Sequence, residues 1–138
     1  MKIIATLTSL AFSAVLAFPA QAQVVIISTK NPMSKLTKEQ VTQIFLGQAK
    51  TFISGGQAVP LDLPEGADLR IAFYQKAMGK APAQLKAYWS KMQFSGTARE
   101  PQAMTAAEVV KLVSENPKYI GYVDASAVTS GVKVVLTL

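Results

Sequence analysis

The sequence predicts an α/β domain with a mixed sheet flanked by helices, on the strength of three observations. Apolar, β-branched runs of strand length open and close the chain, at residues 24–27, 119–123 and 132–136. Between them lie segments with apolar residues at helical spacing, two of them introduced by capping boxes. Half of the 138 residues (50%) are hydrophobic, which suits a packed core and excludes a disordered chain.

Taken in order, Val24, Val25, Ile26 and Ile27 form a buried strand that Lys30, Asn31 and Pro32 break. Thr37 and Gln40 make a T-x-x-Q capping box, and Val41, Ile44 and Phe45 stripe the helix it opens. Gly47 is placed to end that helix in a left-handed cap. Ser54, Gly55 and Gly56 make a turn, and residues 59–63 alternate apolar positions with Pro60 and Asp62, as in a strand with limited ladder donation. After the loop at Pro64, Glu65 and Gly66, Asp68 is expected to cap a helix that runs to Met78 and closes at Gly79.

Pro82 suits the first turn of a further helix, along which Leu85, Tyr88, Trp89 and Met92 fall on one face. Helices bury a face in this way, so the stripe reads as core rather than as an aromatic ligand box. Residues 93–102, with Ser95, Gly96, Thr97 and Pro101, read as a loop. Thr105 and Glu108 form the second box, ahead of a helix with Val109, Leu112 and Val113 inward, and Asn116-Pro117 ends it. The expected order is β-α-β-α-α-α-β-β, without an internal repeat or a linker.

At the amino end, Met1 and Lys2 precede an apolar run over residues 3–18 and the A-x-A ending Pro19-Ala20-Gln21-Ala22. This is the pattern of a secretory signal peptide over residues 1–22, cleaved after Ala22 to leave a single domain at 23–138. The run is shorter than the roughly 20 apolar residues of a spanning helix, and no basic cluster follows it. No cysteine stands at the cleavage point. The expected product is therefore a free periplasmic protein, neither membrane-spanning nor lipid-anchored.

The chain has no His and no Cys. That excludes Ser-His-Asp and Cys-His nucleophile systems, thiolate or imidazole zinc sites, and disulfides. No catalytic residue, metal site or cofactor is expected. Hydrolysis by carboxylates such as Glu65, Asp68 and Asp124 requires a pair at a defined separation in a pocket; their simplest roles are a helix cap and a strand-end turn. Fourteen Lys and Arg against eight Asp and Glu give a net charge of +6, which removal of Lys2 lowers by one. Such a balance favours anions, acidic partners or lipid head groups, or serves solubility alone. Lys76, Lys80, Lys86 and Lys91 lie on outer helix faces without interleaved aromatics, which argues against nucleic acid.

Three segments carry a resemblance. Leu36-Thr37-Lys38-Glu39-Gln40-Val41-Thr42-Gln43-Ile44-Phe45-Leu46-Gly47 resembles a helix segment of the phosphate-type periplasmic substrate-binding proteins of ABC transporters. Val59-Pro60-Leu61-Asp62-Leu63 with Gly66 and Phe73 is similar to their strand and ligand-loop helix, and Asn116-Pro117-Lys118-Tyr119-Ile120-Gly121-Tyr122-Val123 to their return strand. Without any ligand, Ile44 and Phe45 would anchor a helix to a sheet, and Gly121 would let the last helix approach its strand.

The resemblance implies one lobe of a two-lobed, type-II binding-protein fold, and a small anion such as phosphate as ligand. Its ligand loop corresponds to Glu65, Gly66, Asp68 and Arg70, where the family has an Arg and a Ser-Gly-Thr run with amides facing the anion. Here Asp68 is expected to occupy those amides, and Glu65 adds a second negative charge. A literal Ser95-Gly96-Thr97, with Arg99 nearby, offers hydroxyls, an amide run and a guanidinium as an alternative nest. The functional expectation is a periplasmic binding-protein-like domain that takes an anion weakly or with a partner. The alternative is an envelope interaction or sensor-accessory protein that has lost ligand binding, joined to an envelope partner or to a second copy of itself.

Overall fold

Thr37 starts the first helix as its sequence requires: its hydroxyl accepts from the Gln40 N–H at 3.1 Å, and the Gln40 side chain accepts from the Thr37 N–H at 2.8 Å. Such local signals place most elements of the computed structural model, which describes residues 22–138. The signal-peptide reading of residues 1–22 lies outside the described residues except for Ala22. The strands are β1 (Gln23–Ser28), β2 (Val59–Asp62), β3 (Gln102–Ala103), β4 (Tyr119–Asp124) and β5 (Val132–Thr137). The helices are α1 (Lys38–Phe45), α2 (Asp68–Met78), α3 (Pro82–Ser95) and α4 (Ala106–Glu115), with a 3-10 turn at residues 125–127.

Two departures from the sequence reading fall in the stretch expected to be a loop. α3 continues to Ser95, because nothing interrupts helical geometry before Gly96 takes a φ of 69°. Strand β3 is two exposed residues without a hydrophobic pattern; only its pairing with Leu61 and Asp62 makes it a strand.

The sheet order is β3-β2-β4-β1-β5. β2 runs parallel to β3 and β4, whereas β1 is antiparallel to both of its neighbours, so the expected mixed sheet is present. Adjacent residues of β4 show that helices cover both faces. A Cβ on Gly121 would overlap Val109 Cγ1 of α4, while the next side chain, Tyr122, meets Phe45 of α1 and Phe73 of α2. The fold is thus three-layered, and every residue of β1 is buried, as its unbroken apolar run demands.

Replacing Gly121 by Ala forces α4 off the sheet or Val109 out of its rotamer. The expected cost is about 1–3 kcal/mol, the range for overpacked cores. Urea unfolding measures it, and a variant as stable as the parent would mean that α4 can move freely.

Candidate functional site

Asp62, 1% exposed at the end of β2, gathers a cluster of buried polar groups. Its Oδ1 accepts from the Leu63 N–H at 2.8 Å and from the Tyr122 hydroxyl of β4. Its Oδ2 accepts from the Tyr74 hydroxyl at 2.7 Å and faces Arg70 Nε at 3.4 Å, both on α2. Arg70 Nη2 then reaches Glu100 Oε1 at 3.2 Å. A buried carboxylate needs this completeness, since each unmet lone pair would cost desolvation energy.

Burial opposes the Arg70 charge, but the Asp62 carboxylate together with Tyr74 and Tyr122 outweighs it and holds the guanidinium pKa above its ordinary value. Burial, followed by the negative charge of Asp62, pushes the Tyr74 and Tyr122 phenols far above theirs. Both therefore remain hydrogen-bond donors at any physiological pH.

The structure joins the two candidate segments at one point, the Arg70–Glu100 pair beside Arg99. Around it, several roles differ from expectation. Asp68 is not a cap: the Ala67 N–H bonds the Pro64 carbonyl at 2.9 Å, so the turn delivers Ala67 to the N-cap position. Asp68 becomes the first helical residue, exposed, and no side chain caps α2. Glu65 and Gly66 are exposed in the preceding turn. Ser95, Gly96 and Thr97 form the end of a helix rather than a free amide run. The Gly96 and Thr97 N–H groups donate to the Gln93 and Met92 carbonyls, and the Ser95 and Thr97 hydroxyls bond each other at 2.7 Å. Asp124 closes β4 as a turn residue, accepting from the Ser126 N–H at 2.9 Å.

Three openings flank this region, one of them about 440 Å³ and lined by Gln93, Gly96, Ala98, Arg99 and Glu100. A groove of about 370 Å³ runs between the end of α1 and residues 96–99, lined by Lys50, Thr97 and Arg99 over Ile44, Phe45 and Pro60. A smaller cavity of about 210 Å³ opens at the start of α3, beside Arg70 and Trp89. Among the described residues, no group of acidic side chains is placed to hold a metal ion, and no helix is long and apolar enough to cross a membrane.

Solved structures of the same shape place this architecture. A phosphate transport receptor from Vibrio cholerae superposes with a TM-score of 0.64 at 17% identity, over 84% of this chain and 47% of that one. A protein assigned as a phosphate ABC transporter substrate-binding protein from Clostridium perfringens, crystallised with phosphate, gives 0.65 at 22% identity, over 84% and 46%. PstS from Borrelia burgdorferi gives 0.58 at 13% identity, over 83% and 46%. The chain shares the fold of phosphate substrate-binding proteins. It spans less than half the length of each of these three. No family model matches the sequence, and no curated protein does.

Within this phosphate-binding-protein fold, sequence reasoning overlooked Asp62 as the hub, Tyr74 and Tyr122 as its donors, and Lys50 at the groove. Pro60 and Asp62 were legible only as interruptions of an apolar strand. An acidic residue facing the core side of a strand was the one available signal, since such a charge demands partners.

The tyrosines predict an alkaline weakness. Their folded pKa values lie above the ordinary value of about 10, so the unfolded chain alone releases these protons as pH rises. Stability is then intact below about pH 10 and falls above it by about 1.4 kcal/mol per pH unit for each phenol. Urea unfolding on both sides of that pH should show this slope, made shallower by Tyr74→Phe. A slope unchanged by that substitution would mean that the phenol ionises in place.

Proposed function

We propose that this chain is an exported binding domain that takes a small anion such as phosphate, weakly or with a partner, in the groove between Lys50 and Arg99. The carrying observation is the charge of that groove: both of its charged lining residues are cations, and no carboxylate lines it. Solved proteins of this fold that are named for phosphate transport support the choice of ligand. Gly96, Thr97 and Arg99, picked out from the sequence, all lie on this groove.

Physical chemistry also argues for weakness. The carboxyl ends of α1 and α3 both meet the groove, at Gly47 and Gly96, and their partial negative charge offsets part of the cationic field. The Gly96 and Thr97 amides are already spent on the α3 cap and the Thr97 hydroxyl is paired with that of Ser95, so the attraction falls chiefly to the two cations. The competing location, the amino end of α2, has uncapped amides but exposes Glu65 and Asp68. Each carboxylate would oppose an anion there by about 1 kcal/mol, and Arg70 is committed to Asp62 and Glu100.

Titration calorimetry with inorganic phosphate tests the site. A dissociation constant of order 1 mM is expected, with binding lost in the Lys50→Ala/Arg99→Ala double variant. No heat at about 10 mM phosphate, or undiminished binding by the variant, overturns the reading. Export is tested separately by the intact mass of the protein from a periplasmic fraction. The mass should correspond to a chain beginning at Gln23, and an uncleaved chain confined to the cytosol would refute it.

A further inference from the structure

Trp89 leaves an unpaired donor in the interior. It is 3% exposed, and its indole Nε1 has no hydrogen-bond partner among the described residues. A buried N–H without an acceptor costs about 1–3 kcal/mol. The benzo carbons Cη2 and Cζ3 lie over Gly47, 3.8 and 4.0 Å from where its Cβ would stand. Trp89 also lines the cavity at the start of α3, and with the benzo end held against Gly47 the pyrrole edge is left for that cavity.

The cavity walls are chemically divided. Leu85, 2% exposed, and the indole make an apolar floor, while Arg70 and Lys86 supply two positive charges and Glu65 and Glu100 two negative ones. Arg70 fixes Glu100 at 3.2 Å, so one acidic wall is held in place. A simple anion would meet two carboxylates, and a simple cation would meet a guanidinium and an ammonium. Discrimination of this kind rests on the repulsive group as much as on the attractive one. The volume of about 210 Å³ lies below the roughly 300 Å³ at which pockets for drug-sized ligands begin.

The geometry points to a second binding site in this cavity for a small zwitterion, an α-amino acid. Its carboxylate pairs with Lys86 and accepts from Trp89 Nε1 once a small turn of the indole uncovers that N–H, its ammonium faces Glu65 and Glu100, and its side chain rests on Leu85. The site is independent of the anion groove, whose cations Lys50 and Arg99 do not line it.

The chain has a single tryptophan, so its one indole N–H resonance reports on this cavity without assignment. Glycine, L-alanine and L-serine are titrated against it, with propionate and ethylamine as half-ligands that each lack one charge. At least one amino acid should shift the resonance saturably, with both half-ligands weaker by about tenfold or more. Lys86→Gln and Glu65→Gln, both at exposed positions that leave the core intact, should each weaken the amino acid by about tenfold. The Lys50→Ala/Arg99→Ala variant should bind it as the parent does, which separates this site from the phosphate groove. A resonance unmoved by all three amino acids at about 10 mM would mean that the cavity holds water only, and would overturn the proposal. So would a response to propionate equal to that of the amino acids.

Discussion

One buried carboxylate organises this domain. Asp62 lies where β2 meets α2 and β4, and Arg70, Tyr74 and Tyr122 reach it from those neighbours. Removing one partner of such a buried pair leaves a charge uncompensated, typically at a cost of 3–5 kcal/mol. The requirement is therefore mutual: the carboxylate holds the helix, and the helix makes the carboxylate tolerable. Phe73 stacks on Tyr122 with ring centroids 3.8 Å apart, and Phe45 meets Phe73 edge-on, so the polar cluster is walled by aromatic carbon. Through Glu100 the same chain of charges reaches the segment between α3 and α4, and so positions the surfaces on either side of it.

Those surfaces differ in character although they lie close together, and a third opening shares Gly96 and Arg99 with one and Gln93 and Glu100 with the other. Trp89 has Gly47 and the cationic groove beyond its benzo edge, and the mixed-charge cavity beside its other face. The Tyr88 hydroxyl, next along α3, bonds the Leu46 carbonyl at 2.6 Å and ties α3 to the end of α1. Neither opening encloses a ligand by itself. The chain spans less than half of the solved proteins it superposes on.

Much of the fold was legible because its signals are local. The Thr37 and Gln40 box, the left-handed glycines at 47 and 79, and the extended Asn116 before Pro117 each act within one turn of chain. The site was less legible, for the same reason. Tyr74 and Tyr122 lie 12 and 60 residues from Asp62, and no local pattern pairs them. Asp68 was misread because aspartate is a good cap, whereas the Pro64–Ala67 turn decides where the helix begins. Ser95-Gly96-Thr97 has the composition of an anion nest, but its preceding helix takes the amides first. β3 had no signal of its own, being a strand only through its neighbour.

The placement of β1 sets the order of assembly. This first strand lies between β4 and β5, pairing Val25 with Tyr122 on one edge and with Leu136 on the other. Its partners are thus the two strands furthest from it along the described residues, and contacts of such long sequence separation form slowly. Until they pair, the apolar run of β1 at residues 24–27 has both edges open, the condition in which unfolded chains aggregate or engage chaperones. The helices can form one by one, but the sheet closes only when β4 and β5 return to β1.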